Sequence, residues 1–194
     1  MIVGAKYWDD KDKWYIQNNN PTEELLRKIN KKGFLETCGP SAGVNCAAAH
    51  AYNLEITCPG IYRPQPEEVL SDWFNDPRNY KLLEMVRPNL NPNDLPGGRV
   101  PQYYPAGMMA VFGIKCEFVW LTNHFQLMDY FKEGYSIQLC LKSPSHYIAG
   151  VAYDLATSEI IYNDSWSRDG RGFNERFSGI ENLNNFIIIY PPKE

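Results

Sequence analysis

The sequence predicts an α+β fold in which a helical N-terminal part, with a central helix, packs against a C-terminal antiparallel sheet. Three observations carry that expectation. Helical patterns with recognisable starts and stops fill the chain up to Gly134. From Tyr135 the character changes to short apolar runs: Ser136 to Leu141, His146 to Tyr153, Glu159 to Asp164 and Asn185 to Tyr190. Only a tight turn, Asp154 to Ser158, separates the second run from the third, so those two strands are antiparallel neighbours.

The elements follow in order. Gln17-Asn18-Asn19-Asn20-Pro21 is a polar turn, after which Thr22 caps a short helix with Glu23 and Glu24 in its first turn and Lys28, Lys31 and Lys32 towards its end. That charge order suits the helix dipole, and Gly33 stops the helix. The central helix starts at Cys38-Gly39-Pro40-Ser41 and is expected to run to about Tyr52. Pro40 fits its first turn and the alanines beyond are strong helix formers. Cys58-Pro59-Gly60 is a turn. A short helix runs from Pro66 to about Phe74 and breaks at Asp76-Pro77, and a second passes through Tyr80, Leu83 and Val86. Residues 88 to 98 have loop composition. A core helix through Met108 and Met109 ends at Gly113, Cys116 to Trp120 is a strand or extended link, and Asn123 begins a helix stopped by Gly134.

The 194 residues fit one domain, 1–194, with its helical part at about 13–134 and its sheet part at about 135–194. An apolar fraction of 44% with 22% charged residues is that of a folded globular chain. The net charge of −4 and the lack of a basic run argue against nucleic acid as a partner. No run of apolar residues is long enough to span a membrane, and the first residues turn acidic before a signal-peptide core develops. Cytoplasmic synthesis without a leader is therefore expected. The aromatic fraction of 14% fits a ring-lined groove or an aromatic core. The five cysteines, at 38, 46, 58, 116 and 140, are odd in number and irregularly spaced, which favours free thiols; Cys46 and Cys140 lie in apolar sequence and are expected to be buried.

Cys38 stands apart because it sits at the mouth of a helix. The positive end of the dipole favours thiolate over thiol there. A cysteine nucleophile needs a base beside it and a third group to orient that base. His50 lies twelve residues further along the expected helix, about 18 Å away, which excludes it. His124 starts a separate helix with no partner nearby in sequence. His146 opens a strand whose hairpin returns the chain through Asn163 and Asp164, either of which can take one ring nitrogen and leave the other for sulfur.

Tyr15-Ile16-Gln17, Cys38-Gly39-Pro40-Ser41, Lys132 to Ile137, Ser145-His146-Tyr147-Ile148-Ala149-Gly150-Val151-Ala152-Tyr153-Asp154 and Tyr162-Asn163-Asp164 resemble, in order, the landmarks of the papain-like cysteine peptidases. The closest resemblance is to the branch of bacteriocin leader peptidases and their phage and bacterial relatives. It implies a papain-like fold with Cys38 as nucleophile, His146 as general base and then acid, and Asp164 as the orienting group, with Asn163 as the alternative. The oxyanion would be held by the Cys38 backbone N–H and a side-chain donor. The family places a glutamine a few residues before the cysteine, where this chain has Lys32. The resemblance therefore points to Gln17, with residues 21 to 33 as an inserted helix, and Asn18, Asn30 and Thr37 as the alternatives.

The implied activity is amide hydrolysis through an acyl-enzyme, with no cofactor and no metal. Its implied substrate is the stem peptide of peptidoglycan, as in an endolysin that acts on the cell wall. Protein or leader processing inside the cell, and acyl transfer by the same residues, are alternatives. A different class is a zinc-binding or non-catalytic module, for which Cys46 and His50, four apart on one helix face, and Cys58 are the candidate ligands.

Overall fold

The computed structural model describes residues 1–15, 37–54, 65–88, 100–143, 145–166 and 172–193. The expected helix at residues 22 to 33, Gln17, Asn18, Asn30, the Cys58 turn and the loop through residues 89 to 98 lie outside them. Strand β1 is Ile2–Gly4; helices α1, α2, α3 and α4 are Cys38–Ala48, Pro66–Asn75, Tyr80–Val86 and Tyr104–Phe112. They are followed by β2 (Cys116–Trp120), α5 (His124–Lys132), β3 (Ser136–Leu141), β4 (His146–Asp154), β5 (Glu159–Asn163), β6 (Glu175–Phe177) and β7 (Leu183–Ile189).

The architecture is α+β, with helices from the N-terminal part packed on a C-terminal sheet. Its strand order is β2-β7-β3-β4-β5-β6, with β1 paired to the far end of β4, and every pairing is antiparallel. Two strands come from the N-terminal part: β2 lies along β7, and β1 lies along the last residues of β4. The alternation of β3 divides the core. Ile137 and Leu139 face α5 with Leu127, Phe131, Ile148 and Phe186, whereas Ser136, Gln138 and Cys140 face the side that carries α1.

Local chemistry accounts for most boundaries. Gln65 and Glu68 close a reciprocal capping box at the start of α2, and Asp76-Pro77 ends it. The Asn123 side chain accepts from the Gln126 N–H at the start of α5. Helix α1 ends at Ala48, short of the Tyr52 its alanine-rich sequence suggests. The chain closes there with the Ala51 N–H on Ala48 O and the Tyr52 N–H on Ala47 O, and Ala51 sits at φ 55°, a left-handed closure in which glycine is usual. Cys140 is half-buried rather than buried, at the end of β3 where the pairing with β7 shifts register.

Helices α2 and α4 cross at Gly107, where an added Cβ would stand 2.5 Å from Phe74 Cζ and 3.1 Å from Leu70 Cδ1. Phe74 and Leu70 are both fully buried and cannot move aside freely. Gly107→Ala is expected to destabilise the chain by about 1–3 kcal/mol, the usual cost of overpacking a filled core, measured as a lower urea midpoint at unchanged slope.

Candidate functional site

Cys38 is the first residue of α1 and the only one in it that is not buried. It has this exposure because the helix runs beneath the sheet and emerges only at its N-terminal end. Thr37, at the capping position, makes no side-chain cap; its hydroxyl is buried and has no hydrogen-bond partner among the described residues. His146 begins β4 and Asp164 follows the last residue of β5, so the β4–β5 hairpin brings them to one end of the sheet.

His146 Nε2 lies 2.9 Å from Asp164 Oδ1. The same oxygen accepts the Trp166 N–H at 2.9 Å, and the Asp164 N–H donates to Gly172 O, so the carboxylate is fixed from two sides. The Trp166 ring stands edge-on to the imidazole with centroids 5.7 Å apart. Asn163 is engaged elsewhere: its Oδ1 accepts the Asn174 N–H at 2.9 Å. Of the two candidates for orienting His146, it is Asp164 that touches it.

His146 Nδ1 is buried and makes no well-aligned hydrogen bond. Burial disfavours the imidazolium, but the hydrogen bond to Asp164 and the neighbouring Cys38 thiol outweigh it, and His146 is raised to about 9. Burial likewise pushes the Asp164 carboxyl up, yet His146 and the Trp166 N–H prevail and hold it below its ordinary range. The three side chains Cys38, His146 and Asp164 thus bear on one another, with the Asp164 carboxylate balancing the ring.

The remaining residues singled out in the sequence fall elsewhere. His50 lies beyond the other end of α1, buried, and its Nε2 accepts the Ser136 N–H at 3.1 Å. Burial pushes it down to about 4 against a weaker backbone hydrogen bond. Cys46 is fully buried, and burial pushes its thiol up. His50 and Cys46 are therefore committed to Ser136 and the core, Cys58 lies outside the described residues, and among the described residues no group of three His, Cys, Asp or Glu is placed to hold a metal. Among those residues no helix is long and apolar enough to cross a membrane. Gln17 is also outside them. Tyr15, two residues before it, is held on α1: its N–H donates to Asn45 Oδ1 at 2.7 Å and its carbonyl accepts from Asn45 Nδ2 at 3.0 Å.

Sequence reasoning passed over Tyr104, Gln138 and Tyr147, which surround the first turn of α1. Tyr104 and Tyr147 are buried with rings 5.6 Å apart, and Gln138 donates to Gly39 O. The signal for Gln138 was present: it is a long polar side chain in the middle of an apolar strand. No family model matches this chain, and no curated protein matches its sequence.

The two shifts set a pH window for the stability that the pair contributes. His146 is raised from 6.5, so its share is complete below 6.5 and is lost as pH rises through about 9. Asp164 is lowered from 3.8, so its share is complete above that value and is lost as pH falls. Asp164→Asn is expected to cost about 1–3 kcal/mol near pH 5.5 and distinctly less near pH 10, read from urea unfolding at both values. A cost that does not change between them would show that the pair is not charged.

Proposed function

We propose that the chain is a papain-like cysteine peptidase that hydrolyses an amide bond through an acyl-enzyme. The observation that supports this reading is His146 held between the Asp164 carboxylate and the Cys38 thiol at the open end of α1. A nucleophile on a helix mouth and a base on an antiparallel hairpin form the arrangement that the sequence resemblance implies.

In the proposed cycle the Cys38 sulfur attacks the carbonyl carbon, and the oxyanion is met by the Cys38 N–H and a side-chain donor. His146, raised to about 9, carries a proton at neutral pH and gives it to the departing amine. The neutral ring then takes a proton from water, whose oxygen attacks the thioester, and the acid leaves with the sulfur restored. Asp164 keeps Nε2 engaged, so that Nδ1 is the nitrogen that exchanges protons with sulfur and substrate. Gln17 is the proposed side-chain donor, which rests on the sequence resemblance. The proposed substrate is the stem peptide of peptidoglycan, which rests on the resemblance to phage relatives.

Incubation of purified peptidoglycan, and separately of a peptide library, is expected to release new amine termini detectable by mass spectrometry. Cys38→Ala and His146→Ala should each lower the rate by at least about 10³-fold. Cleavage of library peptides with intact peptidoglycan would retain the chemistry and move the substrate to protein or leader processing. Absence of cleavage from both, together with iodoacetamide labelling of Cys38 at about pH 6 that is unaffected by His146→Ala, would overturn the reading.

A further inference from the structure

Alternate residues of β3 form a row of polar attachments to the underside of α1. Ser136 Oγ donates to Cys46 O at 2.9 Å, near the C-terminal end of the helix. Two residues on, Gln138 Nε2 donates to Gly39 O at 3.0 Å, in the first turn. The spacing is consistent: a step of two in a strand advances about 7 Å, and the long glutamine side chain makes up the remainder of the roughly 10 Å between residues 46 and 39 of a helix. Both attachments are buried, and both residues are fully inaccessible.

The second attachment is unusual in what the fold gives up for it. Within the helix, Gly39 O is the acceptor expected for the Gly43 N–H, so Gln138 is an additional donor rather than a replacement. It can reach that carbonyl because residue 43 is glycine: a Cβ there would stand 3.1 Å from Gln138 Oε1. Among the described residues neither that oxygen nor the fully buried Tyr104 hydroxyl has a well-aligned hydrogen-bond partner, and the two side chains lie within reach of each other. Tyr104 lies against Gln138, and its ring is wedged between Phe74 at 5.2 Å and Tyr147 at 5.6 Å. Tyr147 is the neighbour of His146 in β4.

We infer that Gln138, backed by Tyr104, is a positioning group that fixes the first turn of α1 against β3 and thereby the direction in which Cys38 presents its sulfur to His146. The inference rests on the reading of Cys38 as the nucleophile. Neither residue is given a proton-transfer step. Tyr104 rises well above its ordinary range because it is buried and because Cys38 and Cys140 are near, which agrees with a hydroxyl held close to the sulfur.

The test compares the pH profile of Cys38 alkylation in wild type, Gln138→Met, Tyr104→Phe and His146→Ala, with thermal melting of each. Gln138→Met keeps the length of the side chain and removes its amide; Tyr104→Phe removes one hydroxyl without opening a cavity. Both are expected to melt at or above the wild-type temperature, yet to alkylate Cys38 roughly five- to tenfold more slowly near pH 7, with the rise in rate moved to higher pH. If His146→Ala moves the profile while Gln138→Met and Tyr104→Phe alkylate like wild type, the positioning role is wrong and the nucleophile reading stands. If His146→Ala leaves the profile unmoved, the nucleophile reading fails and the positioning role fails with it. A rate loss that appears only together with a lowered melting temperature in both variants assigns them a structural role and also overturns the inference.

Discussion

The close seating of α1 on the sheet is the contact on which the remainder of the candidate site depends. Every residue from Gly39 to Ala48 is buried, and most of their side chains are short, which lets the neighbours approach closely. Ala42, Ala47 and Ala48 share one core with Ala149, Val151 and Ala152 of the sheet, small groups on both sides. Two glycines inside a helix cost it roughly 0.5–1 kcal/mol each in intrinsic stability. The helix persists because burial on all sides supplies what propensity lacks. Cys38 and His146 belong to opposite halves of the chain, so the separation of sulfur from imidazole is set by the distance between helix axis and sheet. Larger residues in this layer would move the two apart, and reacting groups tolerate little such movement.

Two histidines in the same molecule, one buried and one partly buried, show what decides their charge. His50 is surrounded by core and accepts a backbone N–H; with no carboxylate beside it, burial wins and it falls to about 4. His146 is partly buried, and burial acts on it in the same direction, but Asp164 at 2.9 Å and the Cys38 thiol reverse the outcome to about 9. The contrast excludes burial as the cause of the charged state at the site. It also assigns that state to the β4–β5 hairpin, which among the described residues is where the chain brings a carboxylate to an imidazole.

Much of this was legible in the sequence, and the parts that were not share a physical reason. Helices α2 to α5 and strands β2 to β5 and β7 follow from capping residues, Asp76-Pro77, Gly113, Gly134 and the change to period-two apolar runs, all of which act within a few residues. Strands β1 and β6 were missed because three residues carry too little pattern; Ile2–Gly4 and Glu175–Phe177 are strands only through the partners they pair with. The end of α1 was misplaced because Ala49 and Ala51 favour helix, and the closure is imposed by the surroundings of His50. Cys38 and His146 were nameable from residue type and turn geometry, as was the adjacent pair Asn163 and Asp164. The choice of Asp164 over Asn163 was not, since it depends on which of two adjacent side chains points at the ring and which is taken up by the Asn174 N–H. Gln138 and Tyr104 escaped notice because a buried polar group announces its role only through the partner it meets across the fold.

The distribution of unsatisfied polar atoms completes the physical picture. The Thr37 and Ser41 hydroxyls, Gln138 Oε1, the Tyr104 hydroxyl and His146 Nδ1 are all buried without a well-aligned partner, and all surround the first turn of α1. At the opposite end of the same helix the polar groups are matched: Ser136 Oγ with Cys46 O, the Ser136 N–H with His50 Nε2, and Asn45 with both backbone groups of Tyr15. One helix thus has a satisfied end and an unsatisfied end. Each unmatched atom costs on the order of 1–3 kcal/mol, so the asymmetry opposes stability. Five apolar substitutes of the same shape would relieve it. The end of α1 that is worst satisfied as a structure is the end that carries the cysteine.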